Sequence, residues 1–476
     1  DIHQGKIKKL AVLLFGAIGL IGGLQYFGNR GLMTALRGEV QSFSADIVYG
    51  VPKALKLLTI ALIGIRLVFA LGSLSTTPYN ADEVRGFYRL SGYLRAEVIE
   101  EVFRGDIFTK AEVQSYQVPS SDKNVWDALV SLADYPEHPP LYDVIARYGM
   151  TVWKNPLSAR VLALVLSFVY LPLAYWLCLE LFHSAWAGWI AVALLSISPY
   201  HILLAQGARE YSLWTILILG SSTLLLKAIR TQRLSYWMIY AATVAIGLYS
   251  HLFFAFSLIA QSIYMLLFYW RQWKTYLIPF VMSAGAGVLA FGPWALVVLL
   301  KLDKIDENTQ WVQGRRSSIV SIIRTAIDSL GNTFFDLDNS LPRWENYSDF
   351  LFFILTALAV YCLIRWSPKR VSTFVLLPVI VTTTILVIPD VISGGGRFAQ
   401  SRYLVPTLLS LELVLAYFIS NAMRNSKYNW ERLAWSGVFS LSLLFGTVSG
   451  MRIAKSPNWD YLDQGNTASE IGRAHV

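Results

Sequence analysis

Two carboxylates stand side by side in "YNADEVRGFY", Asp82 and Glu83, just after the apolar run "LKLLTIALIGIRLVFALGSL". A carboxylate next to a reacting hydroxyl can take its proton as a general base. Adjacent side chains on a helix or strand point in different directions, so both cannot face one reacting atom. One could act as the base while its neighbour orients a ligand, a metal or an arginine. Equally, an acidic pair at a helix N-terminus gains roughly 0.3–1 kcal/mol from the helix dipole. Spacing alone leaves both readings open.

Four further groups carry chemistry. In "DYPEHPPLYDVIARYG", Glu137 and His138 precede Pro139 and Pro140, which fix φ and hold the preceding residues extended ahead of a helix opening near Leu141. In "SPYHILLAQGAREYSL", Arg209 and Glu210 interrupt two apolar runs. They read either as a mutual salt bridge or as an arginine aimed at an anionic group, since guanidinium binds phosphate bidentately. In "GGGRFAQSRYLVP", Arg397 and Arg402 lie on a glycine-rich loop that suits a phosphate or pyrophosphate, or is simply a flexible loop with solvated charges. "YSHLFFAF" places His251 between two apolar segments.

These residues are set among elements that only a membrane protein needs. The 476-residue chain is 55% hydrophobic and 15% charged, with a mean hydropathy of +0.48, against about 25% charge in a soluble chain. Sixteen Trp and twenty-five Tyr suit interfacial belts. Cys178 and Cys362 lie in apolar segments, which is neither a disulfide framework nor a metal cluster. The expected architecture is an all-α polytopic membrane protein. Its eleven apolar spans lie near 55–74, 158–182, 186–204, 211–229, 235–250, 252–270, 276–300, 349–366, 371–389, 403–420 and 433–450. A weaker twelfth candidate at 10–27, within an N-terminal segment 1–54, is short and Gly-rich.

Positive charge orients the spans. Lys53, Lys56, Lys227, Arg230, Arg233, Arg271, Lys274, Arg365, Lys369, Arg370, Arg424, Lys427 and Arg432 all fall on one side, read as the cytoplasm. The other side receives the first outer loop 75–157, the 205–210 turn, His251, the second long outer loop 301–348 and the 393–402 loop. Every unusual polar stretch is thus expected on the outer face. Within the loops, "VRGFYRLSGYLRAEVIEEVF" and "SSIVSIIRTAIDSL" carry helical apolar spacing and read as amphipathic surface helices. Two charges lie inside spans, Arg66 and Glu412, at similar depth, and are expected to pair or to line a common cavity.

With these residues placed, the chain resembles GT-C-fold glycosyltransferases of the protein-O-mannosyltransferase and aminoarabinose-transferase-like superfamily, in particular bacterial dolichyl-phosphate-mannose–protein mannosyltransferase homologues. The match rests on "NADEVRGFY", "HPPLYDVIARYG", "SPYHILLAQGAREYSLWTILIL" and "SRYLVPTLLSLELVLAY", with "YSHLFFAF" as a lesser fifth, and covers about residues 55–420. The resemblance implies a GT-C transmembrane domain over 55–455 that moves a sugar from a polyprenyl-phosphate donor to a protein, lipid or glycan acceptor at the extracytoplasmic face of a bacterial plasma membrane. It implies Asp82 as general base with Glu83 assisting, and it makes Glu137, His138, Glu210, Tyr211, His251 and Tyr403 the substrate-binding candidates. Arg209, Arg397 and Arg402 would stabilise the leaving phosphate. A single displacement would invert the anomeric carbon. Asp82, Glu83 and His138 could hold one divalent cation, though nothing in the sequence requires it. Residues 456–469 resemble the start of a small extracytoplasmic C-terminal region, most of which would be missing. The tail 470–476, "EIGRAHV", resembles a translated sequencing adapter and is set aside.

Competing functions are a transporter or flippase of lipid-linked sugars and a scaffold subunit. A transporter predicts charge on both faces and internal repeats with broken helices, whereas here the polar features gather on one face and no clear repeat is found. A scaffold has no need of an acidic pair, arginines and a Pro-clamped His on the same side.

Overall fold

The computed structural model describes residues 50–102, 104–312, 318–336 and 342–455. The 10–27 candidate span and the 456–476 region lie outside them. Among the described residues the regular structure is entirely helical.

Helix α1 (Lys53–Ser73) leads into the first loop, which folds into α2 (Ala81–Ser91), α3 (Arg95–Val102), α4 (Lys110–Ser115), α5 (Val125–Ala133) and α6 (Leu141–Trp153). The spans α7 (Leu157–Phe182), α8 (Ala185–Ile197) with α9 (Pro199–Gln206), α10 (Tyr211–Thr231), α11 (Leu234–Ser250) and α12 (Phe254–Tyr269) follow. Next come α13 (Leu277–Ala290), α14 (Gly292–Leu300), α15 (Leu302–Thr309) and α16 (Ile319–Gly331). The last four are α17 (Pro342–Trp366), α18 (Lys369–Ile392), α19 (Val405–Asn425) and α20 (Asn429–Lys455).

All eleven apolar segments are helical. Seven are long and apolar enough to cross a membrane alone, and two bent pairs bring the number to nine. Helices α11 and α12, with 17 and 16 residues, are shorter. The protein is therefore a multi-pass membrane protein. Its most enclosed spans are α10 and the Ser401–Asn425 segment, of which 78% and 83% are buried. They form the centre against which α7, α8, α11 and α18 pack.

Two expected straight spans are broken. The 186–204 segment bends by 59° between α8 and α9, and the 276–300 segment by 57° between α13 and α14. Proline sits just past each break, Pro199 and Pro293; it lacks an N–H and crowds the carbonyl four residues back. The expected single amphipathic helix after Val84 is also two helices, α2 and α3. Gly92 stops the first at φ 94°, its N–H donating to Arg89 O and Tyr88 O, a left-handed cap that favours glycine. A Cβ there would lie 3.0 Å from Asp127 Cβ.

Helix α20 packs across α1, α8 and α9. The approach is made at Gly446 and Gly450, where an added Cβ would strike Ile197 and Phe69 respectively. This small-residue spacing is how membrane helices come close.

Candidate active site

The site is assembled from the turn at the start of α2. Asn80 caps the helix: its side chain accepts from Glu83 N at 2.8 Å, while Glu83 Oε2 accepts from Asn80 N at 3.0 Å. This reciprocal box fixes Glu83 at the third helical position, facing back into the protein. Asp82, one residue earlier, is turned about 100° around the helix and faces elsewhere.

Glu83 is fully buried. Arg160 of α7 donates from Nε to Oε1 at 2.7 Å and from Nη2 to Oε2 at 2.6 Å, a bidentate pair. The Ala208 N–H adds 2.8 Å to Oε1. The remaining Arg160 donors reach Leu74 O, Thr77 O and Pro78 O at 3.2, 2.8 and 2.9 Å. Glu83 thereby ties the first loop, α7 and the 207–210 turn together. Both of its carboxylate oxygens are taken up by these bonds.

Asp82 stays 33% exposed, with Oδ2 accepting from Arg402 Nη1 at 3.0 Å and Oδ1 3.8 Å from Arg85 Nη1. Burial by itself would raise its pKa; the charges of Arg402, Arg209, His138 and Arg85 outweigh that and hold it at about 2. Arg402 is buried, its guanidinium 5.5 Å from the Trp311 ring and 5.6 Å from that of Tyr403.

Arg209 forms the second cationic point. Its Nη2 donates to His138 Nδ1 and to Glu210 Oε1, both at 3.3 Å, and its Nε lies 3.3 Å from Glu210 Oε2. His138 Nδ1 is 3.6 Å from Glu210 Oε1. His251 Nε2 is 4.0 Å from the same oxygen. His251 Nδ1 accepts from Phe253 N at 3.0 Å, and the ring stacks on Trp214 at 4.2 Å and 12°. Burial pushes its pKa down to about 3, so the imidazole is neutral. Tyr211 lies 6.1 Å from the His251 ring and Tyr403 meets Phe253 edge-on at 5.0 Å.

The 134–138 loop is held from above by α14 and α15. Trp294 Nε1 donates to Pro136 O at 3.2 Å, Lys301 Nζ to Asp134 Oδ1 at 2.6 Å, and Asn308 Nδ2 to Asp134 O at 3.0 Å and Glu137 Oε2 at 3.4 Å.

Arg397 is engaged elsewhere. Its Nη1 donates to Asp390 Oδ1 at 3.1 Å and Gly394 O at 3.0 Å, and Asp390 Oδ2 accepts from Phe398 N at 2.8 Å. The pair shapes the glycine loop rather than facing Asp82. The three residues considered for a divalent ion do not converge, because Glu83 points at Arg160. Among the described residues no group of three His, Cys, Asp or Glu could hold a metal ion.

Sequence reasoning passed over Asp143. It stands in the first turn of α6, and its pKa is pushed up to about 6, by burial first and the Glu210 charge second, against Arg89, Arg209 and His138. It also missed Arg160, which only the fold brings to Glu83.

The fold is like that of solved GT-C membrane glycosyltransferases. Residues 137–296 match the family model described as dolichyl-phosphate-mannose-protein mannosyltransferase. The structure is similar to ArnT from Cupriavidus metallidurans bound to undecaprenyl phosphate, at 12% identity and TM-score 0.52 over 87% of this chain and 76% of that one. The apo ArnT structure matches equally, at 12% and 0.52 over 85% and 76%. An Archaeoglobus fulgidus oligosaccharyltransferase complex with zinc and sulfate is similar at 14% and 0.50 over 89% of this chain and 56% of that one. No curated protein sequence matches.

Proposed function

We propose that the protein transfers a sugar from a polyprenyl-phosphate donor to a hydroxyl acceptor at the extracytoplasmic face of a bacterial plasma membrane. The observation that carries this reading is the contact between an accessible carboxylate and a buried arginine, Asp82 and Arg402 at 3.0 Å, with Arg209 close enough to act on the same carboxylate. Base and phosphate-binding cations share one pocket of charge at one end of the bundle. The ArnT likeness and the mannosyltransferase match support the donor class.

In the reaction, the acceptor O–H gives its proton to Asp82 as its oxygen bonds to the anomeric carbon. The C1–O bond to phosphate breaks, and its electron pair leaves on the polyprenyl phosphate, with inversion. A carboxylate held at about 2 by its neighbouring cations is a weak base. Donor phosphate offers Arg402 and Arg209 a competing anion, which draws positive charge away from Asp82 and strengthens it as a base when the donor is in place. The developing phosphate charge is then met by preorganised cations. Glu83 positions Asp82 through its helix, and Glu137, His138, Glu210, Tyr211, His251 and Tyr403 line the surroundings as substrate contacts.

The test is transfer of labelled sugar from synthetic polyprenyl-phosphate sugars in membranes. Asp82→Asn should lose transfer while inserting normally. Unchanged transfer by that variant would remove Asp82 from the chemistry. Lipid movement between leaflets without transfer by the wild type would favour a flippase.

A further inference from the structure

Deep in the bundle the chain places a second polar cluster that touches none of the site residues directly. Arg66, Tyr170, His201 and Glu412 are all about 1% exposed. Arg66 and Glu412, expected to pair or to line a common cavity, make no direct ion pair among the described residues and share His201 instead. His201 stands between them: its carbonyl accepts from Arg66 Nη2 at 3.0 Å, and its Nε2 bonds Glu412 Oε2 at 2.7 Å.

The cluster sits on the α8–α9 break. Pro199 has no N–H to give Leu195 O, four residues back. Arg66 Nη1 supplies it, at 2.9 Å, and also lies 3.4 Å from Ser196 O. Its Nη2 donates to Tyr170 OH at 2.7 Å. Arg66 thus satisfies carbonyls that a bent membrane helix would otherwise leave bare. Helix α9 then runs from this joint to the 207–210 turn, which carries Arg209 and holds Glu83 through Ala208 N. On the same helix, Tyr200 OH donates to Ser401 O at 3.0 Å, next to Arg402. Glu412 belongs to α19, which follows directly on the short 3-10 turn Ser401–Leu404 that carries Arg402.

We propose that Arg66, Tyr200, His201 and Glu412 form a buried joint that sets the direction of α9 and so fixes Arg209 and Arg402 against each other; they are positioning residues. Charged side chains inside the bilayer are costly to insert, and apolar residues of similar volume often stabilise as well. The cluster still leaves Arg66 Nε, His201 Nδ1 and Glu412 Oε1 without a hydrogen-bond partner among the described residues. Such an arrangement is kept for orientation rather than for strength.

The transfer reading supplies the importance of these two arginines, and the experiment separates the two claims. Hydrogen exchange is followed by mass spectrometry on the full chain in nanodiscs, and undecaprenyl phosphate binding is titrated on the same samples. Glu412→Leu should speed exchange in both 207–212 and 398–404 while α11 and α12 keep their protection. Glu412→Gln, which retains an acceptor for His201, should behave as wild type. Tyr200→Phe, a mild change that keeps the packing, should loosen 398–404 alone. Undecaprenyl phosphate affinity should fall at least tenfold in Glu412→Leu and stay within twofold in Glu412→Gln. The joint is overturned if Tyr200→Phe leaves 398–404 unchanged, or if Glu412→Leu loosens every helix alike. If wild type binds no undecaprenyl phosphate, the donor reading falls, and the exchange pattern still decides the joint.

Discussion

Glu83 and Arg160 meet through two hydrogen bonds of 2.7 and 2.6 Å with both side chains out of solvent, one residue from a carboxylate that remains accessible. The two neighbours therefore fail differently when altered. Removing one partner of a buried pair costs about 3–5 kcal/mol, so Glu83→Ala should lower the thermal midpoint in detergent and reduce the folded yield. Asp82→Asn should leave the midpoint within a degree or two while abolishing transfer. Fluorescence-detected size exclusion after heating, run beside the transfer assay, reads both; equal thermal losses would contradict the division.

The two arginines of the glycine loop divide in the same way. Arg402→Ala should weaken undecaprenyl phosphate binding by roughly tenfold to a hundredfold, the worth of a charged hydrogen bond at about 1.5–3 kcal/mol. Arg402→Lys should recover only part, since an ammonium cannot offer a planar fork. Arg397→Ala should act through the loop, and its effect should not add to that of Asp390→Asn, because the two share one contact. Titrations on the single and double variants check this.

Asp143 makes stability depend on pH. Its pKa in the folded protein is pushed up to about 6, by burial and then by Glu210, above the ordinary value near 3.9. The folded state therefore binds more protons than the unfolded state across that interval, and stability contributed by the protonated carboxyl is lost as pH rises through about 6. Asp143→Asn should match wild type near pH 4 and surpass it above pH 6.5 in thermal shift. A difference that is constant with pH would show that Asp143 ionises normally.

Gly92 ends α2 at φ 94°. Gly92→Ala should cost about 1–2 kcal/mol from the left-handed conformation alone, and its Cβ would also crowd Asp127. Chemical denaturation of the variant against Gly86→Ala, an open helical position, isolates the effect.

The apolar runs and the clustering of basic residues made the helical membrane architecture legible, because twenty apolar residues have few alternatives. The breaks at Pro199 and Pro293 were equally written in the chain, yet hydropathy averages over them. Among site residues, Asp82 with Arg402 and His138 with Arg209 come together from motifs that could be picked out by type and spacing. Their partners could not be. Nothing local in "LSARVLAL" announces that Arg160 answers Glu83 across 77 residues, and the raised pKa at Asp143 depends on burial in the fold and then on Glu210 from the 207–210 turn. Arg66 and Glu412 were conspicuous as charges in spans, but only the fold puts His201 between them.

The glycines of α20 bear on how the molecule is made. Helices α1 and α8 leave the ribosome long before α20, yet α20 packs on both, with Phe69 of α1 against Gly450 and Ile197 of α8 against Gly446. Until α20 arrives, the faces of α1 and of the α8–α9 bend that it covers lack that contact. The joint that aims the two arginines thus acquires its final backing late, and a chain halted before Gly446 would insert its early helices yet hold them without their clasp.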